Sequence, residues 1–330
     1  TYALRGQADL ALRVTTLEPR GGDVVLAKGR APGGRSAYDI TWALLNTTAT
    51  DPGPLVRQYL HVLQPYAGKP VIDRVESVPL AGAPEDAEFP ALALRVVAGD
   101  VVDTLVLQYG KRRDVAAGDL HCDGEFGLWR ERAGRLVAAV LVRGTRLTRG
   151  ALGITLPAAE YHATIQSCDW ATNRFVVSPA PPGGTALVGR HLRITNDLGS
   201  SASYQVVAVE PADNGVRLRV GHDPRLGEGF AKGCQDGLIL GATGLRLSGW
   251  GCYQGKTVAN EDASAWHRLD DVRKGRDLAL APVDGQPLPA GVLTTEFADR
   301  DGDGMTRYVI YDYGPGDTVT IENAAVLRVP

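Results

Sequence analysis

The sequence predicts an all-β protein: an antiparallel β-sandwich followed by a small β-barrel-like unit and a further β region. Three observations predict it. Apolar and polar residues alternate with period two along most of the chain. The 330 residues include 40 glycines and 20 prolines, which suits many strands joined by many turns. Long helical periodicity is nearly absent, and its best trace, Val258 to Leu269, is short and polar.

The elements follow in order. Ala11 to Leu17, Ser36 to Leu45, Leu55 to Leu63 and Val71 to Leu80 read as strands. Ala91 to Val97 and Val101 to Gln108 flank Ala98-Gly99-Asp100 and form a hairpin. Glu125 to Glu131 and Leu136 to Val142 form another, and the apolar run Ala138 to Val142 predicts a central strand covered on both faces. Pro157 marks a break. Strands at Tyr161–Cys168, Arg174–Ser178, Arg190–Thr195, Ala202–Glu210 and Val216–Val220 then suit a small barrel, with Asp213-Asn214-Gly215 as the last turn. The glycine-rich stretch Asp223 to Gly237 reads as a second break. The expected divisions are 1–156, 157–228 and 229–330. No fixed period recurs, which excludes a propeller or solenoid.

Composition narrows the function. A net charge of −3 leaves no electrostatic footprint for nucleic acid. No apolar run is long enough to span a membrane as a helix. Six of the 35 basic residues are lysines and the rest arginines, whose planar fork grips carboxylates and sulfates. Cys122, Cys168, Cys234 and Cys252 form no CxxC pair, which argues against zinc ribbons; Cys234 and Cys252 could bridge in an oxidising compartment. The chain starts at Thr1 rather than an initiator methionine, which suggests a processed or excised piece.

Several segments resemble one family. Tyr59 to Ile72, with Val62-Leu63-Gln64-Pro65-Tyr66, is similar to the strand–turn–strand that follows the catalytic region of heparinase II/III-like polysaccharide lyases. Ala91 to Asp103 resembles that family's next hairpin. Asp123 to Arg132 with Leu136 to Leu147 resembles its later strands. Asp299 to Gly304 and Tyr311 to Asp317 resemble a tail of large secreted members. The resemblance implies a β-sandwich that packs against a catalytic helical toroid, an extracellular, periplasmic or cell-surface location, and an acidic polysaccharide as partner. The proton-abstracting tyrosine and most catalytic groups belong to the toroid, which precedes the region matched. Leu45 and Asn46 stand where the family's strand carries a histidine, and none of the six histidines pair at ligand spacing.

Two sites are expected from the residues. Trp250 and Tyr253 lie in the glycine-rich Ser248 to Tyr253, an exposed loop by composition, where flat apolar rings suit pyranose faces. Asp299, Asp301 and Asp303 alternate in Asp299-x-Asp301-x-Asp303-Gly304 and can converge on Ca²⁺, although the twelfth position of an EF-hand count is Ile310 rather than glutamate. Lesser candidates are His121 with Asp123 as a metal corner, Tyr161 with His162 as an elimination pair, and the basic run Lys111-Arg112-Arg113 for a polyanion.

The expected function is a non-catalytic structural or accessory region of a secreted polysaccharide lyase, supporting its catalytic half or binding an acidic polysaccharide. One alternative is a surface or fibre-forming protein that self-associates through edge strands, Thr318 to Val329 being the strand that favours it. The other is an autonomous lyase.

Overall fold

The computed structural model describes residues 2–4, 7–17, 22–30, 39–47, 59–83, 90–110, 112–246, 251–299, 302 and 304–329. It is an all-β chain in two compact units, Thr1–Ala159 with Asn323–Pro330, and Glu160–Glu322. The expected boundary near residue 156 therefore falls at 159. The expected boundary at 228 lies inside a strand, and the last residues return to the first unit.

The first unit contains β1 (Tyr2–Leu4), β2 (Gln7–Leu17), β3 (Gly22–Arg30), β4 (Asp39–Thr47), β5 (Leu60–Ala67), β6 (Arg74–Ser77), β7 (Leu80–Ala81), β8 (Leu92–Ala98), β9 (Val101–Leu107), β10 (Val115–Ala117), β11 (Leu120–Cys122), β12 (Phe126–Arg132), β13 (Arg135–Val142), β14 (Arg146–Arg149) and β15 (Leu152–Thr155). The second contains β16 (Glu160–Asp169), β17 (Arg174–Ser178), β18 (His191–Thr195), β19 (Ser201–Ala212), β20 (Gly215–Val220), β21 (Arg225–Gln235), β22 (Leu238–Gly241), β23 (Thr257–Asn260), β24 (Trp266–Arg273), β25 (Asp277–Leu280), a short helix α1 (Ala290–Glu296), β26 (Thr306–Tyr311) and β27 (Thr318–Glu322). Finally β28 (Ala324–Arg328) belongs to the first unit.

Two sheets of the first unit share one core. The order β28-β13-β12-β9-β8-β6 makes one, and β15-β14-β11-β10-β7 the other. Period-two alternation sends Trp129, Ala139, Leu141, Val106 and Ala93 inward from the first sheet, against Leu120, Cys122, Leu147, Val115 and Ile154 of the second. Each fully buried large side chain there contributes about 1.5–3 kcal/mol. The hairpin β8–β9 closes as its sequence demands: Ala98 pairs with Val101 across Gly99-Asp100, and Gly99 takes φ +58. β13 is central, between β12 and β28, yet only Ala139 and Leu141 on one face are fully buried. The unit also contains the sheet β1-β2-β5 and the hairpin β3–β4.

The second unit is built from two closed six-stranded barrels, ordered β16-β17-β20-β19-β18-β27 and β21-β22-β25-β24-β23-β26. Lettered in chain order, a to f, both barrels read a-b-e-d-c-f. They also share their irregularities. The a–b register slips between Ile165 and Ser167 in one and between Ala231 and Gly233 in the other. The d–e register slips between Val206 and Ala208, and between Leu269 and Asp271. The turn after strand c is held alike: the Asn196 side-chain oxygen accepts from the Leu198 amide, and Asp262 from the Ser264 amide. The second barrel is thus a structural repeat of the first, inserted between its fifth and sixth strands. A repeat nested in this way has no constant period.

Three expectations are corrected here. Val258 to Leu269 is not helical; it forms β23, a turn and the start of β24, because Val258 and Leu269 are both barrel-core residues at 0% exposure. Asp223 to Gly237 is not a break but mostly β21. Thr318 to Val329 is not one unpaired strand: β27 pairs on both sides within the first barrel, and β28 pairs with β13.

Leu218 is fully buried in the first barrel. Leu218→Ala is expected to lower stability by about 2–5 kcal/mol, read from the urea midpoint, with secondary structure retained.

Candidate functional site

The basic run of the sequence borders a cleft formed by described residues of the first unit. Gln108, at the end of β9 and 3% exposed, fixes the segment that carries it. The Gln108 amide nitrogen donates to the carbonyls of Arg113 (2.9 Å) and Gly124 (3.0 Å), while its oxygen accepts from the Arg113 amide (3.1 Å). These bonds tie Arg113 and Gly124 to the end of β9. The loop turns at Gly110 and displays Tyr109 at 54% exposure.

Gly110, Arg112, Arg113, Asp114, Asp123 and Ala159 line a cleft of about 570 Å³. Its two carboxylates are engaged. Asp114 is ion-paired with Arg146. Asp123 accepts from the amides of Thr145 (2.8 Å) and Arg146 (2.7 Å) and from the Thr145 hydroxyl. Arg112 donates to the Arg143 carbonyl. The exposed Arg113 guanidinium forms no ion pair with a described residue. The face can therefore accept an anion without first breaking a pair of its own.

A second polar cluster lies between the two barrels. Asp317, 1% exposed, accepts from Arg268 (2.5 Å) and Asn196 (3.2 Å) through one oxygen and from the Gly314 amide (2.9 Å) through the other. Arg268 also donates to Thr257 Oγ1 (2.7 Å) and the Pro315 carbonyl (2.9 Å), and Asn196 to the Gly255 carbonyl (2.7 Å). Nearby, Asp312 accepts from the Tyr204 hydroxyl (2.7 Å) and pairs with Lys256. Burial raises the Asp317 carboxyl above its usual range against the opposing pull of Arg268. These groups satisfy one another and tie the barrels together.

The buried tyrosines are likewise structural. Burial pushes the phenols of Tyr204 and Tyr313 far up, and that of Tyr308 to about 12, so each is neutral at physiological pH. Tyr313 packs edge-on against Phe175 and Tyr204. Burial also raises the thiols of Cys122, to about 11, and of Cys168. No disulfide joins Cys234 to Cys252.

The expected sites fare differently. Tyr253 is not an exposed platform: it is 7% exposed in the second barrel's core, and its hydroxyl donates to the Arg246 carbonyl at 2.7 Å. Trp250 lies outside the described residues. Asp299 accepts from the amides of Gly302 (2.8 Å) and Gly304 (2.7 Å), so both its oxygens serve the turn; Asp301 and Asp303 lie outside the described residues. Among the described residues no group of three or more His, Cys, Asp or Glu could hold a metal. His121 is exposed on β11 while Asp123 holds the Thr145–Arg146 amides. His162 is exposed and bonds Thr320, while the neighbouring Ala163 points inward. Trp129 is core, as its apolar strand suggests. No described helix is long and apolar enough to cross a membrane. Sequence reasoning missed Gln108 and Tyr109; the polar Gln108 directly after an apolar strand was their signal.

Neither a scan of family models nor a search of curated proteins returns a match to this chain.

Arg268→Met strands Asp317 as an unpaired buried charge, with an expected loss of about 3–5 kcal/mol at pH 7. Because the folded-state pKa of Asp317 is raised, its protonated form favours the native state. The loss should shrink as pH falls through that raised value, and denaturant titrations between pH 4 and 8 measure it. Tyr253→Ala should destabilise by about 3–5 kcal/mol in the same assay.

Proposed function

We propose that this chain is a non-catalytic accessory β region of a secreted, heparinase II/III-like polysaccharide lyase, binding an acidic polysaccharide and supporting the lyase's helical half. The observation that carries the reading is the cleft beside Gln108. There an arginine without a described ion-pair partner lines the cleft, an exposed tyrosine, Tyr109, lies next to the cleft residue Gly110 in the chain, and the local carboxylates already accept hydrogen bonds or pair with arginine. An aromatic face suits a sugar ring and a guanidinium suits its carboxylate or sulfate, and these are the two kinds of contact that an acidic sugar requires.

The supporting role draws on β3 and β4. Val25, Leu26 and Leu44 are exposed by 46%, 71% and 49%, and Val25 pairs with Leu44 across the hairpin. Val25 and Leu44 share one face of the hairpin and Leu26 lies on the other, and exposed apolar side chains of this kind suit cover by another folded segment.

Binding is tested by affinity electrophoresis in gels containing polygalacturonate, chondroitin sulfate or dextran. The wild-type chain should be retarded by the acidic polymers and not by dextran, and added salt should weaken the retardation. Tyr109→Ala and Arg113→Ala should each weaken it about fivefold or more, a loss of roughly 1 kcal/mol. Ultraviolet absorbance with polygalacturonate should stay flat, whereas a rise, the signature of an unsaturated uronate, would establish an autonomous lyase instead. Equal retardation of the wild-type chain and both variants would remove the proposed site.

A further inference from the structure

The first barrel contains a second cluster of arginines, on the outward face of β17 and β20. Inward, Phe175, Val177, Leu218 and Val216 fill the core. Outward, Arg174 stands directly opposite Arg219, and Arg217 is one step along, opposite Glu210 on β19. Like charges directly opposite on neighbouring strands destabilise a sheet. The only described carboxylate shared by the cluster is Glu210, which lies 3.4 Å from Arg174 and 3.7 Å from Arg217, at ion-pair rather than hydrogen-bond distance. Arg219 is exposed and pairs with no described residue. Arg174 Nε is buried without a hydrogen-bond partner, an arrangement that costs free energy unless a ligand supplies an acceptor.

Arg174 and Arg217, though not Arg219, border a cavity. Ser167, Cys168, Asp169, Arg174, Val176 and Arg217 are among the residues enclosing about 260 Å³. Asp169, directly opposite Arg174 on β16, caps the short turn that follows, its oxygens accepting from the Thr172 amide (3.3 Å) and hydroxyl (2.5 Å), and its charge offsets only part of that of the three arginines. The Cys168 thiol, raised by burial, is neutral there.

The sister barrel provides an internal control. Cys168, Phe175 and Leu218 form one cross-strand row, and Cys234, Ile239 and Leu278 form the same row in the repeat. The positions of Arg174, Arg219 and Arg217 are then those of Leu238, Ala279 and Asp277. Ala279 and Asp277 are buried, and the barrel closes without a single arginine at these places. The architecture therefore does not require the cluster. At these positions the three guanidinium groups occur in the first barrel alone, where Arg217 and Arg219 are exposed.

The geometry points to an oxyanion-binding site on the outer face of β17 and β20, in which Arg174, Arg217 and Arg219 hold a sulfate or carboxylate group. Each guanidinium offers paired N–H donors in the plane that such groups accept, and a bound anion would offset the Arg174–Arg219 repulsion. The site is independent of the cleft beside Gln108 and stands or falls separately from it.

The test is titration calorimetry of the full chain with sodium sulfate at constant ionic strength, with parallel titrations of chondroitin sulfate, polygalacturonate and dextran. Arg219→Gln and Arg217→Gln are exposed changes that keep the barrel core, and their melting curves check that it is intact. The wild-type chain should bind sulfate or an acidic polymer saturably, and each substitution should weaken that binding about tenfold, while Arg113→Ala leaves the binding of free sulfate unchanged. Sensitivity with free sulfate would make the site one for the free anion; sensitivity with an acidic polymer alone would assign it to groups carried on a chain. Binding that is equal in the wild-type chain and both variants, or no saturable binding of sulfate or either acidic polymer, would overturn the proposal.

Discussion

Closure of the first barrel depends on a strand that arrives last. Five of its strands run from Glu160 to Val220, and the sixth, β27, follows only after the whole second barrel has been traced. β27 fills the gap between β16 and β18, pairing with both. Until it does, both of those strands present unpaired edges, which a soluble β protein cannot leave open without risk of wrong pairing. The segment that delivers β27, Asp312 to Asp317, is also where the buried ion pairs to Lys256 and Arg268 converge. One stretch of chain therefore completes a barrel and fastens it to its repeat.

This topology explains what the sequence allowed to be read. Hairpins with local turns were legible: β8–β9 and β12–β13 follow directly from alternation and two-residue turns. Five strands of the first barrel were legible too, because each is short and alternating. The sixth was read as a free terminal strand, since nothing local says that its partners lie far upstream. β21 was read as a loop because of Gly227, Gly229 and Gly233. At Gly229 the reason is packing: a Cβ there would lie 2.4 Å from the Tyr308 hydroxyl, so the missing side chain makes room for a core ring. Composition registers glycine and cannot register what fills the space beside it.

The same limit governs the sites. Tyr253 sits among glycines that suggested exposure, yet its ring is packed in the second barrel. Conversely, the alternation Val216-Arg217-Leu218-Arg219-Val220 displays two outward arginines in the bare sequence, but their cross-strand neighbour Arg174 is visible only once the register is known. Charges were therefore countable in advance and their groupings were not. The fold separates them into two classes. Buried ones, Asp317 with Arg268 and Asp312 with Lys256, are saturated and join elements. Exposed ones, around Arg113 and around Arg219, keep donors available to a ligand.

Insertion of one barrel in the other makes the two a single cooperative unit. Native-state hydrogen exchange on the full chain tests it most directly, comparing the wild type with Leu278→Ala in the second barrel's core. The account predicts that amides of β16 and β18 lose protection by the same free energy as those of β21 to β25. Unchanged protection in β16 and β18, with loss confined to the second barrel, would contradict it.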